Sequence, residues 1–296
     1  MNYKDYVHSA SADISYTYFP FSVSSLNIAL GDPGIRTRRI TQIVGKTTTG
    51  KTTLALGLIA SAQRIDSRRC GYIDVEYRFE NTYARKLGVD LERLDLIYAD
   101  NAEDQLDSAR GMIRSGDYSI VVIDSIPALM GVDEAEKTFD ESENVRYTGQ
   151  LIKRFILSMI PIIFQQNVAV VFINQYRAKQ NNISYGPDVK PYGPSLIEHH
   201  SDLILALQHI GKKDGKDLIR GVFTKNSSTG FKNAIAEWEI VHGHGPNVEG
   251  NILTQAVNRG IVLKTGKAWF EYNGIKVNGE QNAITTFDMQ EIQGKL

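Results

Sequence analysis

Cysteine is nearly absent from this 296-residue chain, in which Cys70 stands alone. One thiol excludes an internal disulfide and a cysteine zinc cluster, and it suits a reducing cytosol. A charge excess is missing too: 33 Lys and Arg stand against 34 Asp and Glu, for a formal net charge of −1 and a pI near 6.6. No global positive field advertises nucleic acid, so any such site must be local. No apolar run approaches the length of a membrane span, and residues 1–11 hold no apolar signal-like stretch; the expectation is a cytoplasmic protein with no membrane partner. Low-complexity tracts and internal repeats are also lacking. What remains is 42% hydrophobic, enough for one large α/β domain and a small appendage.

The most informative stretch present is Gly45 to Thr53, GKTTTGKTT, which fits the P-loop pattern of Gly, four residues, then Gly-Lys-Thr. The apolar run Ile40–Val44 before it predicts a buried strand, and Leu54 to Arg64 after it has helical spacing. In that context backbone N–H groups and a helix N-terminus form a concave site for phosphate oxygens. Lys51 is expected to reach the β- and γ-phosphates of ATP, and the Thr52 hydroxyl to ligate Mg²⁺.

Further strands are predicted at Cys70–Val75, which leads into Glu76, and at Ile120–Ile123, ending in Asp124-Ser125. An apolar strand closing in Asp after a P-loop is the Walker B arrangement. It places the Asp124 carboxylate where it can hold Mg²⁺ through water near Thr52. Residues 132–146 carry six acids against Lys137 and Arg146 and read as a solvated loop. Gln150 to Gln166 reads as an amphipathic helix interrupted near Pro161. Val168–Ile173 is a fourth buried strand, ending in Asn174-Gln175. Tyr176 to Pro194 has no apolar periodicity and reads as a long structureless loop, which inside a compact domain is usually functional. Its cations interleave with Tyr176, Tyr185 and Tyr192, a composition suited to single-stranded nucleic acid. Asp202–Ile210 and Leu218–Lys225 predict strands around a Gly-rich turn at 211–217, and Ala236–Val241 continues the sheet. Beyond a boundary at Gly243–Gly250 the pattern predicts a helix at 251–258, a hairpin across 268–277 and a last helix near 283–292. Near the start, Asp13–Phe19 predicts a strand without an obvious partner, open to pairing with another subunit or to simple packing. His199, His200, His242 and His244 lack an accompanying cluster at metal-ligand spacing.

Taken in order, several stretches resemble the bacterial RecA recombinases: Tyr72–Glu76, Thr82–Asp90, Val122–Ser125, Phe172–Arg177, Phe223–Asn226 and Gly266–Phe270. The two short ends look more like a phage-encoded member than a cellular one. The resemblance implies an α/β fold: a RecA-like P-loop ATPase core with a mostly parallel central sheet over 26–245. An N-terminal arm at 1–25 and a small α+β subdomain at 246–296 flank it. It implies a DNA-dependent ATPase that forms filaments on single-stranded DNA and exchanges strands with homologous duplex DNA. Residue by residue, Glu76 falls on the water-orienting glutamate, Gln175 on the γ-phosphate sensor, and Lys225 on a cation reaching ATP held by the neighbouring subunit. Tyr83 falls on the residue that stacks on adenine and Glu80 on an acid contacting the base. The nucleotide set also takes in Gly45, Thr48, Thr49, Gly50, Thr53 and His242. The loops 132–146 and 176–194 match the two DNA loops, with Arg146, Arg177, Lys179, Ile183, Tyr185, Lys190 and Gly193 as the DNA-binding set. Departures are Ser227 in place of a second intersubunit lysine, Ser184 in place of an apolar wedge, and the altered segment Ser195–Ser201. Those departures motivate a second reading, an ATP- and DNA-binding mediator that does not exchange strands. A RecA-fold helicase is the third, disfavoured by the stretches at 83–90 and 266–270.

Overall fold

The computed structural model describes residues 14–129, 139–178 and 189–296. In chain order the first half runs β1 (Tyr18–Phe19), α1 (Ser24–Leu30), β2 (Ile35–Arg36), β3 (Ile40–Gly45), α2 (Lys51–Ile65), β4 (Arg69–Asp74), α3 (Asn81–Lys86), β5 (Leu94–Ile97), α4 (Ala102–Ser115) and β6 (Tyr118–Asp124). Then come α5 (Ile126–Leu129), α6 (Phe139–Gln165), β7 (Ala169–Asn174), β8 (Tyr176–Ala178), β9 (Val189–Pro191), α7 (Ser195–His200), β10 (Ser201–Lys213), β11 (Lys216–Asn226), β12 (Ala234–Val241) and β13 (Gly245–Pro246). Nine of these strands form one sheet in the order β13-β12-β11-β10-β3-β7-β6-β4-β5. From β10 to β5 every neighbour is parallel, and from β10 to β13 the ladder is antiparallel.

The parallel strands read as unbroken apolar runs because both sheet faces are covered. In β6, Ile120 and Val122 join the core under α1 and α2, while Val121 and Ile123 join the core under α4 and α6. β7 splits the same way, Val171 and Ile173 to one side and Val170 and Phe172 to the other. Each such fully buried side chain contributes about 1.5–3 kcal/mol. Helix α6 presents Ile152, Phe155, Ile156, Met159 and Ile163 at three- and four-residue spacing. Among the described residues no helix is long and apolar enough to cross a membrane.

Registers fix where the site falls. Val44 pairs with Asn174, Asp74 with Asp124, and Gly45 with Leu207, so the ends of five parallel strands align along one sheet edge, three of them closing in Asp74, Asp124 and Asn174. That edge is the ligand crevice expected of an open α/β sheet.

The structure corrects several expectations. Tyr18–Phe19 has a partner in its own chain, pairing antiparallel with Ile35–Arg36, because Phe19, Phe21 and Val23 are buried in the core and hold this segment down. Residues 1–13 and 130–138, expected as an arm and part of a loop, lie outside the described residues. Residues 139–146 are helical rather than loop, and α6 runs through Pro161 without a break. Pro161 leaves the Leu157 carbonyl without its amide partner. Leu157 faces outward, and buried Ile156, Met159 and Ile163 pin the helix on both sides of that gap. The 176–194 segment is not structureless at its ends: β8 and β9 pair, with Arg177 opposite Lys190. The turn between β10 and β11 narrows to Asp214-Gly215, both left-handed at φ 50° and 78°.

The C-terminal part holds helix α8 (Val248–Asn258), a sheet of β14 (Leu263–Thr265), β15 (Trp269–Tyr272) and β16 (Ile275–Asn278), then α9 (Glu280–Thr286) and α10 (Met289–Gly294). A third strand thus joins the expected hairpin, and two short helices replace one. The extended residue Phe287 ends α9, and the Asp288 carboxylate caps α10. These elements share a separate apolar cluster centred on Ile252, Phe270, Phe287 and Ile292. Strand β5 and helix α4 went unrecognised in the sequence, where 94–97 is too short to register.

Candidate nucleotide site and the surfaces around it

The loop from Gly45 to Gly50 joins the end of β3 to the first turn of α2. Thr48 and Gly50 are both left-handed, at φ 65° and 83°, which curls the loop into a concavity. A Cβ on Gly45 would come within 2.5 Å of Thr49 Oγ1, so the loop closes only with glycine there. Thr49 is turned inward and donates to the Lys46 carbonyl at 2.8 Å. Lys51 Nζ folds back onto the same carbonyl at 2.8 Å. Burial pulls the Lys51 pKa down, against the opposing pull of Asp124 and Glu76.

At the adjacent strand ends, Asp124 Oδ2 accepts hydrogen bonds from Thr52 Oγ1 and Tyr72 OH, each at 2.7 Å. Burial pushes the Asp124 pKa up, and these two donors only partly offset it. A hydroxyl and a carboxylate in contact, with a lysine beside them, form an oxygen donor pair suited to a hydrated hard cation. These residues fit a magnesium–nucleotide complex. Glu76 accepts from Ser125 Oγ at 2.8 Å and pairs with Arg78 at 3.1 Å. Lys51, Thr52, Asp124, Glu76 and Gln175 all line one cavity of about 490 Å³. Gln175 is tied to the following segment, since its carbonyl accepts from the Tyr192 amide at 3.0 Å.

A second cavity, about 330 Å³, lies on the other side of the loop and is lined by Gly50, Thr53, Tyr83, Ile240 and His242. Tyr83 OH and Thr53 Oγ1 are 2.8 Å apart. Glu80 stands apart, exposed as the residue before α3, with no capping bond. Lys225 lies elsewhere. It lines a groove of about 790 Å³ with Arg38, Arg39, His199, His200 and Ser227. Its ammonium donates to the Glu198 and His199 carbonyls at 2.8 Å each, closing the end of α7. In one chain, then, Lys225 does not meet the P-loop crevice. Of the expected DNA-binding residues, Arg146 lies within α6, Arg177 and Lys190 on the β8–β9 ladder, and Gly193 at φ 87° just after it. Lys179, Ile183 and Tyr185 lie outside the described residues.

Tyr72, Ser125, Arg78 and Asp217 also border the site and were not singled out in the sequence. Tyr72 and Ser125 sat inside stretches already marked, so their side chains were within reach of the same argument. Asp217 carried no signal, because it sat in a charged turn.

The RecA N-terminal domain profile matches residues 9–245. The chain is 33% identical over 265 residues to Protein RecA of Azospirillum lipoferum (strain 4B), covering 88% of this chain and 73% of that protein. It is 34% identical over 267 residues to Protein RecA of Bartonella bacilliformis (strain ATCC 35685), covering 88% and 75%. Neither comparison bears on a phage origin. Over the larger part of its length this chain belongs to the RecA family, and membership implies an ATPase.

Proposed function

We propose that the protein is an ATP-dependent recombinase that forms filaments on single-stranded DNA and promotes pairing and strand exchange with homologous duplex. The observation that carries this reading is the shared cavity of Lys51, Thr52, Asp124, Glu76 and Gln175, with Gln175 bonded into the base of the β8–β9 ladder. Thr52 and Asp124 would hold a magnesium ion, which would supply charge neutralisation at the phosphates. Lys51 leaves the Lys46 carbonyl to meet the phosphates. Glu76, steadied by Ser125 and Arg78, orients the attacking water. Gln175 responds to the terminal phosphate and shifts Tyr192 through their shared backbone bond, so the state of the crevice reaches the 176–194 segment.

DNA contact by that segment is supported by its composition, in which cations and tyrosines interleave between residues 176 and 194. Self-association is supported by Lys225, which has no phosphate site of its own chain to serve. Arg38 and Arg39 line the same groove, where Ser227 leaves one cation fewer than the resemblance implies. The test is ATPase rate with and without single-stranded DNA across protein concentration, followed by strand exchange with homologous duplex. Stimulation rising cooperatively with protein, together with exchanged product, supports the recombinase. DNA-stimulated turnover without exchange selects the mediator reading that Ser227 and the altered 195–201 segment favour.

A further inference from the structure

Asp217 lines both cavities that border the outer side of the P-loop, the 330 Å³ cavity with Tyr83 and a larger one of about 740 Å³. The ladders set it opposite Lys212 on β10 and Ile240 on β12. Three side chains converge on its carboxylate. Oδ1 lies 3.1 Å from His209 Nε2 and 3.7 Å from Lys212 Nζ, and Oδ2 lies 2.9 Å from His242 Nε2. The Asp217 side chain is 14% exposed and that of His242 is 70% exposed, so the carboxylate is a fixed anchor and the imidazole the outward-facing group. The hydrogen bond from His209, helped by the charge of Lys212, holds the Asp217 carboxyl below the usual carboxylate range.

An ionised carboxylate offers only acceptor oxygens, so at 2.9 Å it favours the tautomer of a neutral His242 ring whose proton sits on Nε2. In the neutral ring that leaves Nδ1 as an acceptor. The same cavity presents the Tyr83 ring, with its hydroxyl at Thr53, and the aliphatic side chains of Ile219 and Ile240. It abuts the phosphate loop directly, since a Cβ on Gly50 would stand 2.6 Å from Ile240 Cδ1. Flat rings, aliphatic walls and one oriented acceptor, one step from a phosphate cradle, suit a nucleobase that carries an exocyclic amine.

The geometry points to Asp217 as a positioning residue for base selection: it fixes His242 so that the imidazole favours an amino base, as in ATP, over a 6-oxo base, as in GTP. This deepens the nucleotide reading and rests on it. The experiment measures equilibrium binding of ATP, GTP and inorganic tripolyphosphate, each with Mg²⁺, to the full chain and its variants. Wild type is expected to prefer ATP to GTP. Asp217→Ala is expected to weaken ATP about tenfold, as loss of a charge-assisted orienting bond does, and to leave GTP and tripolyphosphate unchanged. His242→Ala should match it, and the double variant should lose nothing further. Asp217→Asn, which keeps the volume, should show a smaller loss in the same ligand order and serves if the alanine variant fails to fold. Equal weakening of all three ligands, or unchanged ATP affinity, overturns the positioning role. Lys51→Ala separates the two ideas: retention of all three ligands there sinks the nucleotide reading itself, while loss of all three there with no effect of Asp217→Ala sinks only the role of Asp217.

Discussion

The P-loop crevice and the Lys225 groove make an instructive pair. In the crevice the polar side chains already bond one another: Thr52 and Tyr72 to Asp124, Ser125 to Glu76, Lys51 to its own loop. Tyr72, Glu76, Asp124 and Ser125 stand at or next to the ends of two paired parallel strands, and Lys51 and Thr52 open the helix beside them. The groove is built differently. Lys225 comes from the antiparallel side of the sheet, and among the described residues its ammonium bonds two backbone carbonyls at the end of α7. Burial lowers its pKa, with Asp202 and Glu198 opposing. Lys51, Thr52, Asp124, Glu76 and Gln175 of one chain line the crevice together. The groove gathers Arg38, Arg39 and Lys225 with Asp202 as their acid, away from the P-loop.

Experiments can break this contrast, and the largest effect falls on the crevice. Lys51→Ala should abolish ATP binding, by 100-fold or more on the order of an unpaired phosphate charge; an ATP titration showing normal affinity in that variant would refute the P-loop assignment. Next, Glu76→Gln should leave ATP and DNA binding intact and slow hydrolysis by on the order of 10²–10⁴. Wild-type turnover in single-cycle measurements would remove Glu76 from the water-positioning role. Lys225→Ala should spare ATP affinity at low protein concentration and collapse the DNA-stimulated, concentration-dependent rate. It should cost about 1 kcal/mol or less of stability through the lost α7 contact. If instead ATP affinity of the dilute protein falls with the rate, the groove belongs to the same chain's site and the contrast fails.

The smallest effect concerns the core both regions share. Burial pushes the Cys70 thiol up to about 11 from 9.0. A pKa raised on folding stabilises fully below pH 9.0 and is lost as pH climbs through about 11, so stability should fall in that window. Cys70→Ala should flatten that alkaline limb of the denaturation curve, and iodoacetamide should label native Cys70 far more slowly than the unfolded chain at pH 8.

Legibility in the sequence followed locality. The P-loop, the strand ending at Asp124 and the strand ending at Asn174 could be read because each is a contiguous run whose pattern is set by neighbours along the chain. The helical start of α6 could not, since residues 139–146 are polar in composition and their helix continues from the apolar spacing downstream. Nor could the partner of Tyr18–Phe19, because strand pairing between 18–19 and 35–36 is a contact over distance that two-residue strands do not announce.

By itself the sequence determined the α/β class, the phosphate loop and the carboxylates at strand ends, because buried parallel strands and glycine-dependent turns leave local marks. Only the tertiary structure decided which ends align, that Asp124 touches Thr52, that Asp217 gathers His209 and His242, and that Lys225 faces away from its own crevice. Those facts depend on strand order and register, which are chosen by packing both faces of the sheet at once and not by any one segment's residues.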